Sequence, residues 1–176
     1  LRAGYPEGKR ASESLCQAYI QKYGIDVVIP RISRTFGPTM LLSDSKASSQ
    51  FIMNAVHKEN IVLKSAGTQL YSYAYVADIV SALLFLLVKG QKGEAYNVSN
   101  EHCDITLRTF AETLANVAGT KVIHGEATAQ EKQGFSKATK ALLDNQKIYA
   151  LGWRPLYDSM EEPLKHTIKI LEGSGN

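Results

Sequence analysis

The sequence predicts an α/β protein built on a doubly wound parallel sheet. A helical pattern over residues 10–23 ends at Gly24 and is followed at once by a short β-branched run at residues 25–29. A short, continuously apolar strand is typical of a parallel sheet that is buried on both faces. Further apolar strands and amphipathic helices follow along the chain, and 44% hydrophobic and 21% charged residues are ordinary values for a globular protein.

Composition and charge narrow the classes of function. The net charge of +3 is small and the basic residues are scattered, so we expect no nucleic-acid partner. Cys16 and Cys103 are isolated, which predicts neither a disulfide framework nor a metal site. The longest apolar run, residues 79–88, is far shorter than the ~20 residues that cross a bilayer. With no recognisable signal peptide, a cytoplasmic protein without a membrane partner is expected.

The first third of the chain reads as helix, strand, loop and helix. The helix at 10–23 has one apolar side, and the strand at 25–29 is expected to be buried. Residues 35–38 are predicted to form a loop. A second helix at 47–57 would be capped by Ser45 or Ser48. The apolar side of the first helix consists of Ala11, Leu15, Ala18, Tyr19 and Tyr23.

Strands are predicted at residues 61–63 and 71–76. In the second strand three tyrosines alternate with smaller residues and therefore share one face, which is more typical of core packing than of cofactor contact. Asp78 begins a helix whose residues 79–88 are apolar on every side, as in a fully buried helix. We interpret Asp78 first as a capping and dipole residue and second as a ligand candidate.

The remaining elements are less distinct. A strand at 94–99, a helix at 106–117 and a strand at 120–124 precede a polar segment at 126–139 that is predicted to be a loop. In the helix at 106–117, Leu107, Phe110, Ala111 and Leu114 would point inward and Gly119 would end it. A short helix at 145–151 and a terminal helix at 159–171 follow. Ser159 and Glu162 have the spacing of a capping box.

A tyrosine and a lysine near the start of the chain are the candidate catalytic pair. Tyr5 and Lys9 are one helical turn apart if the helix starts at Pro6, where the missing N–H costs nothing. A free phenol has a pKa of about 10 and is a poor base, but a cation within ~4–6 Å favours the phenolate. Such a pair can remove a proton from a sugar hydroxyl. Chance occurrence of a Tyr-x-x-x-Lys is common, so the pair alone does not decide the function.

Five further motifs follow this pair in a fixed order. The set comprises Tyr5–Glu13, Arg31–Pro38, Gly67–Gln69, Tyr73–Asp78, Ala95–Ser99 and Lys147–Pro155. Their order and spacing resemble the extended short-chain dehydrogenase/reductase family, specifically its NAD-dependent nucleotide-sugar epimerases, dehydratases and decarboxylases. The resemblance covers nearly the whole chain.

The resemblance implies the C-terminal part of a Rossmann-like doubly wound parallel sheet plus a small mixed substrate-binding lobe. Residues 1–38 would form the last αβ step of the Rossmann domain. Residues 39–176 would form mainly the substrate-binding lobe, with segments that return to the Rossmann sheet. The implied enzyme binds NAD and a nucleotide-sugar substrate and passes through a transient ketosugar.

The resemblance also implies roles for single residues. Tyr5 would be the base, and Lys9 would hold the nicotinamide ribose and tune Tyr5. The segment that passes the nicotinamide ring would contain Ile32, which joins Tyr5 and Lys9 as a cofactor-binding candidate. Arg31 lies in the same segment, and pairing with a nearby carboxylate or carbonyl explains it at least as well as a ligand contact.

Three departures from the family pattern affect the substrate site. Tyr71 stands where most members have an arginine for the pyrophosphate, and Arg34 stands where most have an asparagine. Residues 126–136 contain no arginine, although many members have an Arg-Pro-Gly-Asp stretch there. Arg34, with Lys46 as a second candidate, is expected to restore a cation from the other wall of the site, so Arg34, Lys46 and Tyr71 are the candidate substrate-binding residues. A differently held sugar is the alternative.

The chain contains no Gly-x-x-Gly-x-x-Gly turn. We therefore expect it to be the C-terminal portion of a longer protein and inactive alone. Family members commonly form homodimers through the Tyr/Lys helix, so Leu15, Tyr19 and Tyr23 are expected to be exposed in this chain. The alternative to an enzyme is a non-catalytic dinucleotide-binding relative with a structural or regulatory role.

Overall fold

The computed structural model describes residues 4–136 and 138–173, in which eight strands, seven α-helices and one short 3-10 helix, Glu101–Cys103, follow one another. The helices are α1 Gly4–Tyr23, α2 Ala47–Val56, α3 Val76–Lys89, α4 Leu107–Ala118, α5 Ala129–Gly134, α6 Gln146–Ala150 and α7 Glu161–Gly173. The strands are β1 Ile29–Ile32, β2 Arg34–Phe36, β3 Ile61–Leu63, β4 Leu70–Tyr75, β5 Ala95–Val98, β6 Asp104–Thr106, β7 Val122–His124 and β8 Lys140–Ala141.

Strand pairing is mostly parallel. β1 pairs with β5, and β3 pairs with β7, both in parallel. β4 pairs in parallel with β2 and β8 and antiparallel with β6, so this sheet is mixed. The predicted α/β class with parallel pairing is confirmed. Among the described residues, no helix combines the length and the apolar character that crossing a membrane requires.

Two hydrophobic cores hold these elements together. The first core lies between β4 and helices α2, α4 and α7, and the second lies between β5 and helices α3 and α6. The alternation of β4 connects them, because Tyr71, Tyr73 and Tyr75 belong to the first core and Ala74 to the second. The shared face of the three tyrosines is thus confirmed. The ring of Tyr73 lies 5.0 Å from that of Phe110, measured between centroids.

The ends of α4 follow from its sequence. The Thr106 side chain accepts a hydrogen bond from the Thr109 N–H at the N-terminus. At the C-terminus Gly119 has φ 71°, a left-handed conformation that glycine adopts without steric cost. Phe110 and Leu114 are fully buried on the predicted inner face. The predicted boundaries of this helix are therefore confirmed to within one residue.

The first strand differs from its prediction. β1 begins at Ile29 rather than at residue 25, and its residues are partly buried or exposed rather than buried. The shift has a physical cause, because β1 pairs only where β5 lies beside it, and Ala95 stands opposite Ile29. Residues 35 and 36, predicted as loop, belong to β2 because Arg34–Phe36 pairs in parallel with β4. The exposure of Leu15, Tyr19 and Tyr23 on α1 is confirmed.

Helix α3 is not buried on every side, contrary to the prediction. Ile79, Ala82 and Leu86 face the second core, whereas Leu84 and Leu87 on the other side are 61% and 81% exposed. The apolar sequence alone could not reveal this, because both sides of the helix are equally hydrophobic. The exposed side forms an apolar stripe that consists of Val80, Leu84, Leu87 and Val88.

Two helix caps and one loop were also predicted wrongly. Neither Ser45 nor Ser48 caps α2; its N-cap is Lys46, without a side-chain cap bond. α7 begins at Glu161, so Ser159 lies one residue too early for the predicted capping box. The predicted loop at 126–139 contains α5, where Thr128 and Glu131 form a capping box.

Adjacent leucines on α3 test which side of the helix is packed. We expect Leu86→Ala to lower the free energy of unfolding by about 2–5 kcal/mol, because Leu86 is only 2% exposed and its removal leaves a cavity. Leu87→Ala makes the same substitution at an exposed position of the same helix. We expect it to change the free energy of unfolding by no more than about 0.5 kcal/mol. Urea denaturation of the two variants measures both values. Equal losses would contradict the assignment of the faces.

Candidate functional site

Helix α1 presents the candidate catalytic pair on its surface. The helix includes Pro6 in its first turn, where no backbone hydrogen bond is lost. Tyr5 and Lys9 therefore lie one turn apart on one side, and the Lys9 ammonium is 5.5 Å from the centre of the Tyr5 ring. Tyr5 is 76% exposed, so its hydroxyl is open to a ligand. A phenol with an adjacent cation and free access can serve as a general base.

One bidentate ion pair connects α1 to the adjacent strand. Arg31 on β1 donates from Nε to Glu13 Oε1 at 2.9 Å and from its terminal nitrogen to Oε2 at 2.6 Å. This hydrogen bonding lowers the pKa of Glu13. Gln17 adds a second contact by donating to the Gly93 carbonyl at 2.6 Å. Arg31 thus pairs with a carboxylate, which is one of the two roles predicted for it.

The third cofactor candidate lies at the carboxyl end of β1. Ile32 is 44% exposed and stands opposite Val98 in the parallel ladder with β5. The next residue, Ser33, has a buried hydroxyl with no hydrogen-bond partner in the described part of the protein. Ligands of parallel α/β sheets bind outside the carboxyl ends of the strands. An exposed apolar side chain and an unpaired hydroxyl thus stand at that end of β1.

Two of the substrate-binding candidates are brought into contact. The Arg34 guanidinium carbon lies 3.8 Å from the centre of the Tyr71 ring, which is a stacked cation–π arrangement. Arg34 is opposite Tyr73 in the β2–β4 ladder, so its side chain reaches diagonally to Tyr71 on the same face. The Tyr71 hydroxyl donates to the Ala138 carbonyl at 3.3 Å, which fixes the ring.

The third substrate candidate is engaged elsewhere. Lys46 pairs with Asp44 at 2.8 Å, at the start of α2. The Asp44 carboxylate also accepts hydrogen bonds from the Lys46 N–H and the Ser49 hydroxyl. Lys46 therefore helps to order the approach to α2. Tyr73, which neighbours Arg34, is not a base, because burial raises its pKa to about 12.

A buried polar cluster that sequence reasoning largely missed joins α3 to the C-terminal segment. Asp78 accepts hydrogen bonds from the Leu156 N–H at 2.6 Å and from the Asn100 amide at 3.1 Å. Asn100 also donates to the Tyr157 carbonyl at 2.8 Å. Burial raises the pKa of Asp78. Asp78 does lie in the first turn of α3, but the N-cap is Tyr75, so the capping role predicted for Asp78 is wrong.

An open depression of about 500 Å³ lies beside this cluster. It is lined by Glu101, His102, residues 154–158 and Glu162, and by none of the predicted site residues in the described part of the chain. Within those same ranges, no group of three or more His, Cys, Asp or Glu side chains could hold a metal ion. The predicted residues Tyr5, Lys9, Ile32 and Arg34 lie on α1 and in the β1–β2 segment, outside this depression.

Comparison with known proteins identifies the family to which this chain belongs. The sequence profile of the NAD dependent epimerase/dehydratase family matches residues 1–99. The chain belongs to this family. It is 32% identical to UDP-glucuronic acid decarboxylase 1 of Xenopus tropicalis, over 99% of this chain and 41% of the relative. It is 28% identical to dTDP-D-glucose 4,6-dehydratase of Mus musculus, over 94% of this chain and 46% of the relative.

Solved structures agree on the fold. UDP-glucose 4-epimerase from Thermotoga maritima superposes with a TM-score of 0.80 at 22% identity, over 95% of this chain and 52% of the other. dTDP-glucose 4,6-dehydratase from Bacillus anthracis, solved with NAD, gives 0.79 at 21% identity, over 97% and 52%. These matches confirm the Rossmann-like fold class. The chain spans about half the length of the relatives it matches.

The buried Asp78 predicts a measurable pH dependence. Its pKa is raised in the folded state, so the unfolded state loses its proton first as the pH rises. The stability that Asp78 contributes is therefore present below its unfolded pKa and is lost as the pH rises through the folded value. We expect the free energy of unfolding of the wild type, relative to Asp78→Asn, to fall as the pH rises above about 4, the usual pKa of a free aspartate. Urea denaturation at several pH values measures this difference, and a constant difference would contradict the burial argument.

Proposed function

We propose that this chain supplies the catalytic pair and part of the substrate site of an NAD-dependent enzyme that acts on a nucleotide-activated sugar, as an epimerase or dehydratase. The observation that carries the proposal is the Lys9 ammonium beside the exposed Tyr5 phenol on α1. The names of the relatives support it, since they describe decarboxylation and dehydration of nucleotide sugars.

The chemistry assigned to the pair is proton removal from a sugar hydroxyl. Tyr5 accepts the proton while the C–H bond of the same carbon breaks, and Lys9 stabilises the phenolate and donates to the nicotinamide ribose. NAD, when bound, supplies the hydride acceptor. The resulting ketosugar can be epimerised, dehydrated or decarboxylated before the hydride returns.

The residues at the end of β1 fit a nicotinamide cofactor. The exposed side chain of Ile32 offers an apolar contact for a flat ring, and the unpaired hydroxyl of Ser33 offers a hydrogen bond. Each orphaned buried polar atom calls for a partner. We infer that Tyr5, Lys9 and Ile32 contact the nicotinamide half of NAD.

Arg34 is the best candidate for the substrate's diphosphate. Its guanidinium stacks on Tyr71 and has no ion pair among residues 4–136 and 138–173, so its donors remain available to an anion. Stacking fixes the plane of the guanidinium and reduces the entropy lost on binding. We infer that Tyr71 holds Arg34 by stacking, and that Arg34 binds the diphosphate in place of the arginine that most family members have at the position of Tyr71. Lys46 stays a weaker candidate because it already pairs with Asp44.

Assembly, location and domain division are further proposals. The exposed Leu15, Tyr19 and Tyr23 on α1 support a homodimer of the complete enzyme, which sedimentation equilibrium would report. The two free cysteines support a cytoplasmic location. The second core contains residues of α3 and β5 together with residues that flank β1. This packing supports the proposal that segments after residue 38 return to the Rossmann sheet.

Removing single groups of the catalytic pair tests the function in the complete enzyme. We expect Tyr5→Phe to lower turnover by about 10²–10⁴-fold with little change in NAD affinity, because only the ionisable oxygen is lost. Lys9→Met should lower turnover, weaken NAD binding and move the pH–rate profile to higher pH. Arg10→Ala, a neighbouring exposed cation, is the control. Normal turnover by Tyr5→Phe would mean that the base lies elsewhere, whereas no turnover by the wild type would favour the non-catalytic alternative.

The stacked arginine predicts a distinct pattern of binding. We expect Arg34→Ala to weaken nucleotide-sugar binding by about 10–100-fold, since a charged hydrogen bond contributes about 1.5–3 kcal/mol. Tyr71→Phe keeps the ring and should bind normally, whereas Tyr71→Leu removes the stacking surface and should weaken binding. Calorimetric titration with the substrate's nucleoside diphosphate measures all three. Unchanged binding by Arg34→Ala would show that another residue holds the diphosphate.

A further inference from the structure

Three residues of α1 lie in one row, of which only two belong to the proposed catalytic pair. Tyr5, Lys9 and Glu13 follow at intervals of four and therefore occupy one side of the helix. Lys9 lies between a phenol and a carboxylate, each one turn away. A lysine and a glutamate at this spacing attract one another on an isolated helix. Glu13 is thus a competitor of Tyr5 for the Lys9 ammonium.

Arg31 removes that competition. Its guanidinium occupies both oxygens of Glu13, at 2.9 and 2.6 Å, while the Lys9 ammonium stays 5.5 Å from the Tyr5 ring centre. A bidentate guanidinium–carboxylate pair is stronger and more directional than a single ammonium contact.

We propose that Arg31 is a positioning residue, which holds the Glu13 carboxylate so that Lys9 stays beside Tyr5. This inference rests on the proposed function and deepens it, because it gives a task to a residue that contacts the pair only through Glu13. The base, the cofactor and the substrate need not touch Arg31 for the effect to operate.

The other charged groups around α1 are engaged with different partners. On α1 itself Glu7 pairs with Arg10 at 3.7 Å. From the turn before β5, Lys92 donates to the Gly24 carbonyl at the far end of the helix. Arg31 is the charged side chain that β1 directs at the row. If Arg31 no longer held the Glu13 carboxylate, that carboxylate would be free to attract the Lys9 ammonium.

A double-mutant cycle separates positioning from mere packing. In the complete enzyme we expect Arg31→Met to lower turnover about 10–100-fold, the scale of a small misplacement of catalytic groups. Its pH–rate profile should move to higher pH, as for Lys9→Met. Glu13→Gln removes the competitor and should remain close to wild type. The double variant Glu13→Gln/Arg31→Met should recover most of the lost turnover and the original profile.

A second readout needs no turnover. In the 176-residue chain, nuclear Overhauser effects between the Lys9 side chain and the Tyr5 ring report their proximity. We expect these effects in the wild type and in Glu13→Gln, their loss in Arg31→Met and their return in the double variant. Persistence of the effects in Arg31→Met, or a double variant as slow as Arg31→Met, would overturn the inference. Failure of the proposed function alone would instead appear as normal turnover by Tyr5→Phe with this pattern of effects intact.

Discussion

The alternation of side chains along β4 is the constraint on which the rest of the structure depends. A strand directs successive residues to opposite faces, so Tyr73 and Ala74 must enter different cores. The large rings fill the space beneath α2, α4 and α7, and the small residue lets α3 and β5 pack closely on the other face. Because a slip of one residue would exchange tyrosines for small residues, the register with β2 is set by burial. That register is also what places Arg34 beside Tyr71.

The elements that the sequence predicted well are those with strong local signals. The helix at Leu107–Ala118 has an apolar face and a glycine in the left-handed conformation, and β4 has alternating tyrosines. The errors lie where pairing between distant segments decides the outcome. β1 starts where β5 begins to pair, β2 exists because β4 is beside it, and the exposed side of α3 is as apolar as its buried side. No local pattern contains that information.

The candidate site shows the same contrast between contacts that local spacing predicts and contacts that depend on tertiary structure. The contact between Tyr5 and Lys9 follows from helical spacing alone, and the structure reproduces it. Glu13 could have been recognised from the same spacing, but its partner on β1 could not, because the crossing of α1 and β1 is a tertiary property. The bonds that Asp78 and Asn100 make to residues 156–157 likewise join segments that no sequence pattern connects.

The bonds from Asp78 to the backbone near the end of the chain have a consequence for the order of assembly. Leu164 and Ile168 of α7 complete the first core, and the Leu156 N–H completes the partners of the Asp78 carboxylate. A ribosome makes these residues after the strand and helices that they cover. The β4 tyrosines and a buried carboxylate are therefore synthesised long before the groups that cover them, and a nascent chain without α7 exposes both. Completion of this core must await the emergence of residues 156–168 from the ribosome.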